Sequence, residues 1–234
     1  MKKEAAKKEA VKKVVVKKET AKKRAAPARP RAGRPTREEA ARRHEELLDS
    51  AIDWFLESGY DNTRVIDIAD SLGMSKRTVY AYYKDKEALF IAAVDRLVER
   101  YIVPIETLQA AETDDLEETL RAVARIRIAN VATPAGIKLQ RILNAQSHRF
   151  PDLINRSLST IEPTLAFLSG LFRRLEAQGK VRVTDAEAMA TAFLSLVVSG
   201  PSRMIIMGGR MEQADIEARI NFSVDLFLNG IRPR

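Results

Sequence analysis

Apolar positions recur every third or fourth residue from Thr36 onward, and glycines and prolines cut that pattern into helix-sized pieces. In TREEAARRHEELLDSAIDWFLESGY, residues Leu47, Leu48, Ala51, Ile52, Phe55 and Leu56 keep i, i+4 and i+7 spacing. Glu38 and Glu39 load the first turn, where free N–H groups favour negative charge, and Gly59 supplies a stop. Thr63 is expected to cap a short second helix carrying Val65, Ile66, Ile68, Ala69 and Leu72, which Gly73 ends. Ser75 is placed to cap a third helix. Asp85 is placed to cap a fourth, running through Leu89, Ile91, Val94, Leu97 and Val98 to about Pro104. Further helices are predicted over 115–131, 136–148, 152–178, 185–207 and 213–230, separated by Thr133-Pro134, Phe150-Pro151, Gln178-Gly179 and Gly208-Gly209. KVRV at 180–183 alternates like a strand, but four residues between two helices read as a connection. The expected fold class is all-α, with about nine helices in total.

Residues 65–84 behave as one piece. Ala69, Gly73 and Val79 are spaced four and then six residues apart, as two helices crossing steeply over a tight turn require. The small residue lets the helices approach, glycine takes positive φ at the corner, and the branched residue fills the gap. Ile66, Ile68, Leu72, Met74 and Tyr83 are expected to complete that core. The outer side of the third helix then carries Lys76, Arg77 and Tyr80, related by i, i+3 and i, i+4 spacing. A cationic helix of this kind suits a DNA major groove, where Arg and Lys reach guanine edges and tyrosine hydroxyls reach phosphates. Lys86 adds a charge at the start of the fourth helix, where backbone N–H groups already favour an anion. Lys84 reads as a solvated charge and Tyr83, four residues after Val79, as core.

Charge is unevenly spread over the 234 residues. Residues 1–35 hold fourteen Lys or Arg against three Glu, so the remaining 199 carry −3 of the total of +8. Lysine pairs recur every five residues from Lys2-Lys3 to Lys22-Lys23, a period that leaves no continuous apolar face on a helix. This Lys-rich tail is expected to be disordered in isolation and to add sequence-independent affinity for DNA phosphates. Arg31 and Arg34, around a loosened Gly-Arg-Pro, are its candidate minor-groove residues. The longest apolar run before residue 25, Val14-Val15-Val16, is too short for a secretory h-region, and no later stretch reads as eighteen apolar residues. A cytoplasmic, nucleoid-associated protein without membrane contact is expected.

The stretch GYDNTRVIDIADSLGMSKRTVYAYYKDKEALF, 59–90, with the long helix and GRP before it, resembles the tetracycline-repressor (TetR/AcrR) family of bacterial one-component regulators. FSVDLFLNGIRP near the end is similar to an AcrR-like last helix. The lysine-pair tail at 1–35 is not part of that family's usual pattern; beyond it, the resemblance implies a three-helix DNA-binding head at 36–84 and a helical ligand-binding and dimerisation domain at 85–234. Positions matching the family's DNA contacts are Thr63 or Arg64, then Lys76, Arg77, Thr78, Tyr80 and Tyr82, with Lys86 on the fourth helix. It further implies a homodimer on a palindromic double-stranded operator, and a repressor released by a small-molecule effector bound among helices four to seven. Phe193, Leu194, Val197, Val198, Phe222 and Leu226 are the candidate dimer-interface residues, with Phe227 beside them. Arg127, Gln140, Asn144 and His148 are polar groups in the ligand region, and each reads as part of a solvated face, so no ligand residue is assigned.

Other functions find less support. There is no cysteine and there are only two histidines, His44 and His148, so neither a thiolate nor an imidazole metal site is expected, and no cofactor. His44 reads as an exposed surface side chain. No Gly-rich phosphate loop or nucleophile–base pair is legible, so an enzyme is not expected. A nucleoid-type architectural protein is the remaining rival, separable by salt: tail-driven binding collapses with salt and ignores sequence, whereas an operator keeps a preference of about 10³ or more over random DNA.

Overall fold

The computed structural model describes residues 36–231, so the lysine-pair tail, Arg31 and Arg34 lie outside the described residues. Among the described residues the chain is helical throughout, with no strand. The helices are α1 (Arg37–Asn62), α2 (Val65–Ser71), α3 (Lys76–Tyr82), α4 (Lys86–Tyr101), α5 (Ile105–Gln109), α6 (Leu116–Ala132), α7 (Pro134–Gln146), α8 (Asp152–Ser159), α9 (Glu162–Ala177), α10 (Ala186–Ile206) and α11 (Gln213–Ile231).

The described residues divide between Arg42 and Arg43 into two units. Within the first, Thr36 and Glu39 form a reciprocal capping box. The Glu39 N–H donates to Thr36 Oγ1 at 3.1 Å and the Thr36 N–H to Glu39 Oε2 at 2.9 Å.

The second unit holds two apolar clusters. One gathers Leu47, Ile52 and Phe55 of α1, Ile68 and Ala69 of α2, Val79 of α3 and Leu89 to Tyr101 of α4 with Leu139 and Ile142 of α7. The other packs α6, α9, α10 and α11 through Leu120, Phe172, Phe193 and Val224. Because α4 lies in the first cluster with α1 and α7, its position is fixed from both sides. An aromatic group of Phe55, Tyr60, Phe90 and Phe150, with centroids about 5 Å apart, continues that cluster past the end of α7.

Caps at Ser75, Asp85, Asp115, Thr133 and Asp185 each accept a backbone N–H, so five of the helix starts are written directly in short polar side chains. Three details differ from the periodicity. The expected helix over 152–178 is split into α8 and α9, because Pro163 lacks an N–H and sits in the first turn of α9. The fourth helix ends at Tyr101, whose carbonyl accepts the Asn130 side-chain amide at 2.7 Å, and a short α5 follows Pro104. Finally, α10 does have the length and mean hydropathy (1.4) of a membrane span, and 28% of that window is buried. Its inward face, Phe193 and Val197, packs in the second cluster.

Candidate nucleic-acid interface

The corner between α2 and α3 is built as the spacing implies. Gly73 has φ +61°, a left-handed conformation that side-chain-bearing residues rarely adopt, and the Met74 N–H returns to the Ala69 carbonyl at 2.9 Å. Ala69 and Val79 are buried at the crossing, with Leu72 and Met74 half-buried beside them. Ser75 caps α3 by accepting the Thr78 N–H, and its hydroxyl also meets Thr78 Oγ1 at 2.8 Å. Ile66 departs from the expected core. It is 40% exposed, on the outer side of α2.

With Val79 turned inward, the opposite side of α3 presents Lys76, Arg77 and Tyr80 to the outside. Lys76 Nζ lies 5.5 Å from the centre of the Tyr80 ring, which is 41% exposed, so charge and hydroxyl stand side by side on one face. Tyr82 is also exposed, but its ring leans on His44, with centroids 4.9 Å apart. The Tyr83 hydroxyl meets His44 Nε2 at 2.6 Å, and burial holds that phenol above its usual range. His44 is therefore not a free surface side chain. It fastens α3 to α1.

Two of the expected contact residues face inward. Thr63 is buried, and its hydroxyl is within hydrogen-bond distance of the carbonyls of Gly59 (2.7 Å) and Trp54 (3.0 Å); it closes the end of α1 instead of capping α2. Gly59, at φ +78°, makes the kink that brings those carbonyls together. The N-cap position of α2 belongs to Arg64, whose guanidinium forms a paired bond with Asp67 and stays exposed at the rim. Lys86 points its ammonium at the carbonyls of Tyr60, Asp61 and Thr63, at 2.8, 3.2 and 3.2 Å, over the Tyr60 ring. Those bonds use its donors, so it acts first as a cation neutralising the carbonyl end of α1. Periodicity offered no sign of this, since the partners lie more than twenty residues away.

Two family descriptions match the sequence that builds this geometry: "Bacterial regulatory proteins, tetR family" over residues 47–93, and "AefR-like transcriptional repressor, C-terminal domain" over residues 118–230. The chain belongs to the TetR family. Like its relatives it is a DNA-binding transcriptional regulator, and no enzymatic family is indicated. It is similar to the HTH-type transcriptional repressor ComR of Escherichia coli (strain K12), 25% identical over 170 residues that span 71% of this chain and 80% of ComR. A TetR-family regulator from Mesorhizobium loti MAFF303099 superposes with a TM-score of 0.70 at 28% identity, covering 85% of this chain and 100% of that one. The flavonoid-responsive regulator FrrA superposes with a TM-score of 0.63 at 29% identity, covering 83% and 99%.

The remaining expected TetR-family sites divide. Phe193, Leu194 and Val197 are buried within the chain's own second cluster, and Val198 is half-buried between the two clusters. None of the four is an open surface. Phe222 and Leu226 of α11 are 68% and 52% exposed. In the ligand region Asn144 and His148 are exposed as expected. Arg127 is not: it is buried, and Gln140 is half-buried near it.

Proposed function

We propose that this TetR-family regulator is a dimeric repressor that binds a palindromic operator through α3 and leaves it when a small molecule enters the 85–234 domain. The observation that carries the operator reading is the outward set Lys76, Arg77 and Tyr80 on a helix whose Val79 is locked into the core. Thr78 and Tyr82 flank that set, and Arg64 stands at its rim once Asp67 is displaced. The head is assigned to 36–84, and the basic segment 1–35 adds affinity without sequence preference.

Support for a dimer comes from uncovered apolar surface. Phe222 and Leu226 are one turn apart on α11, and both side chains are exposed, an apolar pair without cover from the chain's own helices. Two-fold pairing on this face is the arrangement a palindrome requires. Support for ligand release comes from a pocket of about 240 Å³ whose lining includes Tyr101, the last residue of α4. FrrA, by its name, responds to a flavonoid, and it shares this chain's fold over most of its length.

Selection of bound fragments from a genomic DNA library with the full chain tests the reading. The expected outcome is one palindromic motif that survives physiological salt, still preferred after residues 1–33 are deleted, and lost from a monomeric Phe222→Glu chain. Recovery of random sequence, or loss of preference with the tail alone, overturns it.

A further inference from the structure

The pocket between α4, α6, α7 and α10 contains an ion without a counter-ion. Arg127 of α6 is 2% exposed, yet no carboxylate among the described residues pairs with it, and its Nε and Nη1 have no hydrogen-bond partner. The Tyr101 ring faces it, with the ring centre 5.6 Å from the guanidinium carbon. Burial pushes the guanidinium below its ordinary pKa, yet arginine keeps its charge in proteins. An isolated buried cation is costly, so proteins retain one where something else completes it.

What would complete it is set by the rest of the wall. Val131, Ile161, Leu194 and Val198 make one part apolar, while Tyr101, Gln140 and Ser202 supply polar groups. Gln140 lines the pocket together with Tyr101, and Ser202 Oγ is itself buried with no partner. At about 30 Å³ per water molecule, 240 Å³ is room for roughly eight waters, or for a compact molecule of similar bulk.

Resting on the ligand-release reading, we infer that this pocket takes a small organic acid, its carboxylate bound by Arg127 and Ser202 and its hydrocarbon body lying against Val131, Ile161, Leu194 and Val198. Charge-assisted bonds from a planar guanidinium to a carboxylate are the strong ones, whereas an amide of the same shape keeps one acceptor oxygen, turns a donor NH2 toward the other position and leaves the charge uncompensated.

The test is calorimetry on the full chain with matched pairs: benzoate and benzamide, phenylacetate and phenylacetamide, hexanoate and hexanamide, octanoate and octanamide. At least one acid is expected to bind, roughly 10- to 100-fold tighter than its amide. Arg127→Met is expected to abolish that difference and, by removing an uncompensated charge, to raise the apo melting temperature by about 2–4 °C. Arg127→Lys is expected to keep a weakened preference for acids. No acid bound, equal binding of acid and amide, or a lowered melting temperature in Arg127→Met overturns the inference. Operator binding is measured in parallel. An acid that binds without releasing operator refutes ligand release and leaves the site standing, whereas release by the amides alone refutes the acid and leaves release standing.

Discussion

The guanidinium of Arg149 lies 4.5 Å from the centre of the Tyr60 ring, and its Nη1 bonds Asp61 Oδ1 at 2.6 Å. Arg149 follows α7, which lines the pocket through Gln140, and Tyr60 sits at the kink that ends α1. Phe150 packs on the same ring. One short segment thus grips the corner to which Lys86, at the start of α4, is also tied. The segment after α7 and the kinked end of α1 are therefore joined by direct contacts.

Arg149→Ala removes that grip at an exposed position, so stability should change little. The expected outcome is near-normal operator affinity without ligand, with effector-induced release weakened by about 2- to 30-fold, the range for positions that carry coupling. Operator anisotropy with and without the bound organic acid measures it. Full retention of release would place the coupling elsewhere.

Tyr80→Ala should cut operator affinity by about 10-fold or more while leaving the melting temperature almost unchanged, since the ring stands on the surface beside Lys76. Arg77→Ala is expected to relax base preference as well as affinity. Unchanged binding in a folded Tyr80→Ala chain would remove α3 from the groove.

Thr63→Val keeps the shape and deletes the hydroxyl that serves the Gly59 and Trp54 carbonyls. A loss of about 1–3 kcal/mol is expected from chemical denaturation, with Thr63→Ser recovering much of it. Operator affinity of the folded fraction should stay the same, which separates a closing role from a contact role.

Gly136→Ala tests the approach of α7 to α6. A Cβ there would sit 2.5 and 2.7 Å from the carbonyl oxygens of Asn130 and Val131, and 2.9 Å from Tyr101 Cε2. Backbone cannot yield as a side chain can, so a cost of about 1–3 kcal/mol is expected, with acid binding disturbed through Tyr101.

Acid should weaken the join between α6 and α11. The Arg125 hydrogen bond holds the Glu217 carboxyl below its ordinary range, against the smaller opposing effect of burial. A pKa depressed on folding stabilises above the unfolded value, about 4.3, and that stability is lost as pH falls through the folded value. Both side chains are partly exposed, so Glu217→Gln is expected to cost only about 0.2–1 kcal/mol at pH 7 and almost nothing near pH ~3. Thermal melts at the two pH values measure the difference.

Local chemistry made most of the head legible. Ser75 and Asp85 cap where short polar side chains precede a periodic run, Gly73 turns where only glycine does so easily, and Val79 enters the core at the expected step. These are interactions over four or five residues, so the linear pattern contains them. Long-range partners were not written there. Thr63 and Lys86 look like surface polar residues in the chain, and become inward ties because the Gly59 kink gathers carbonyls around them. Phe193 and Val197 have the same apolar character as Phe222 and Leu226, and the packing of α10 on its neighbours sends the first pair inside and leaves the second pair bare. Arg127 is the sharpest case: a helix-face arginine reads as solvated until α4, α7 and α10 close over it, because burial is a property of neighbours far away in sequence.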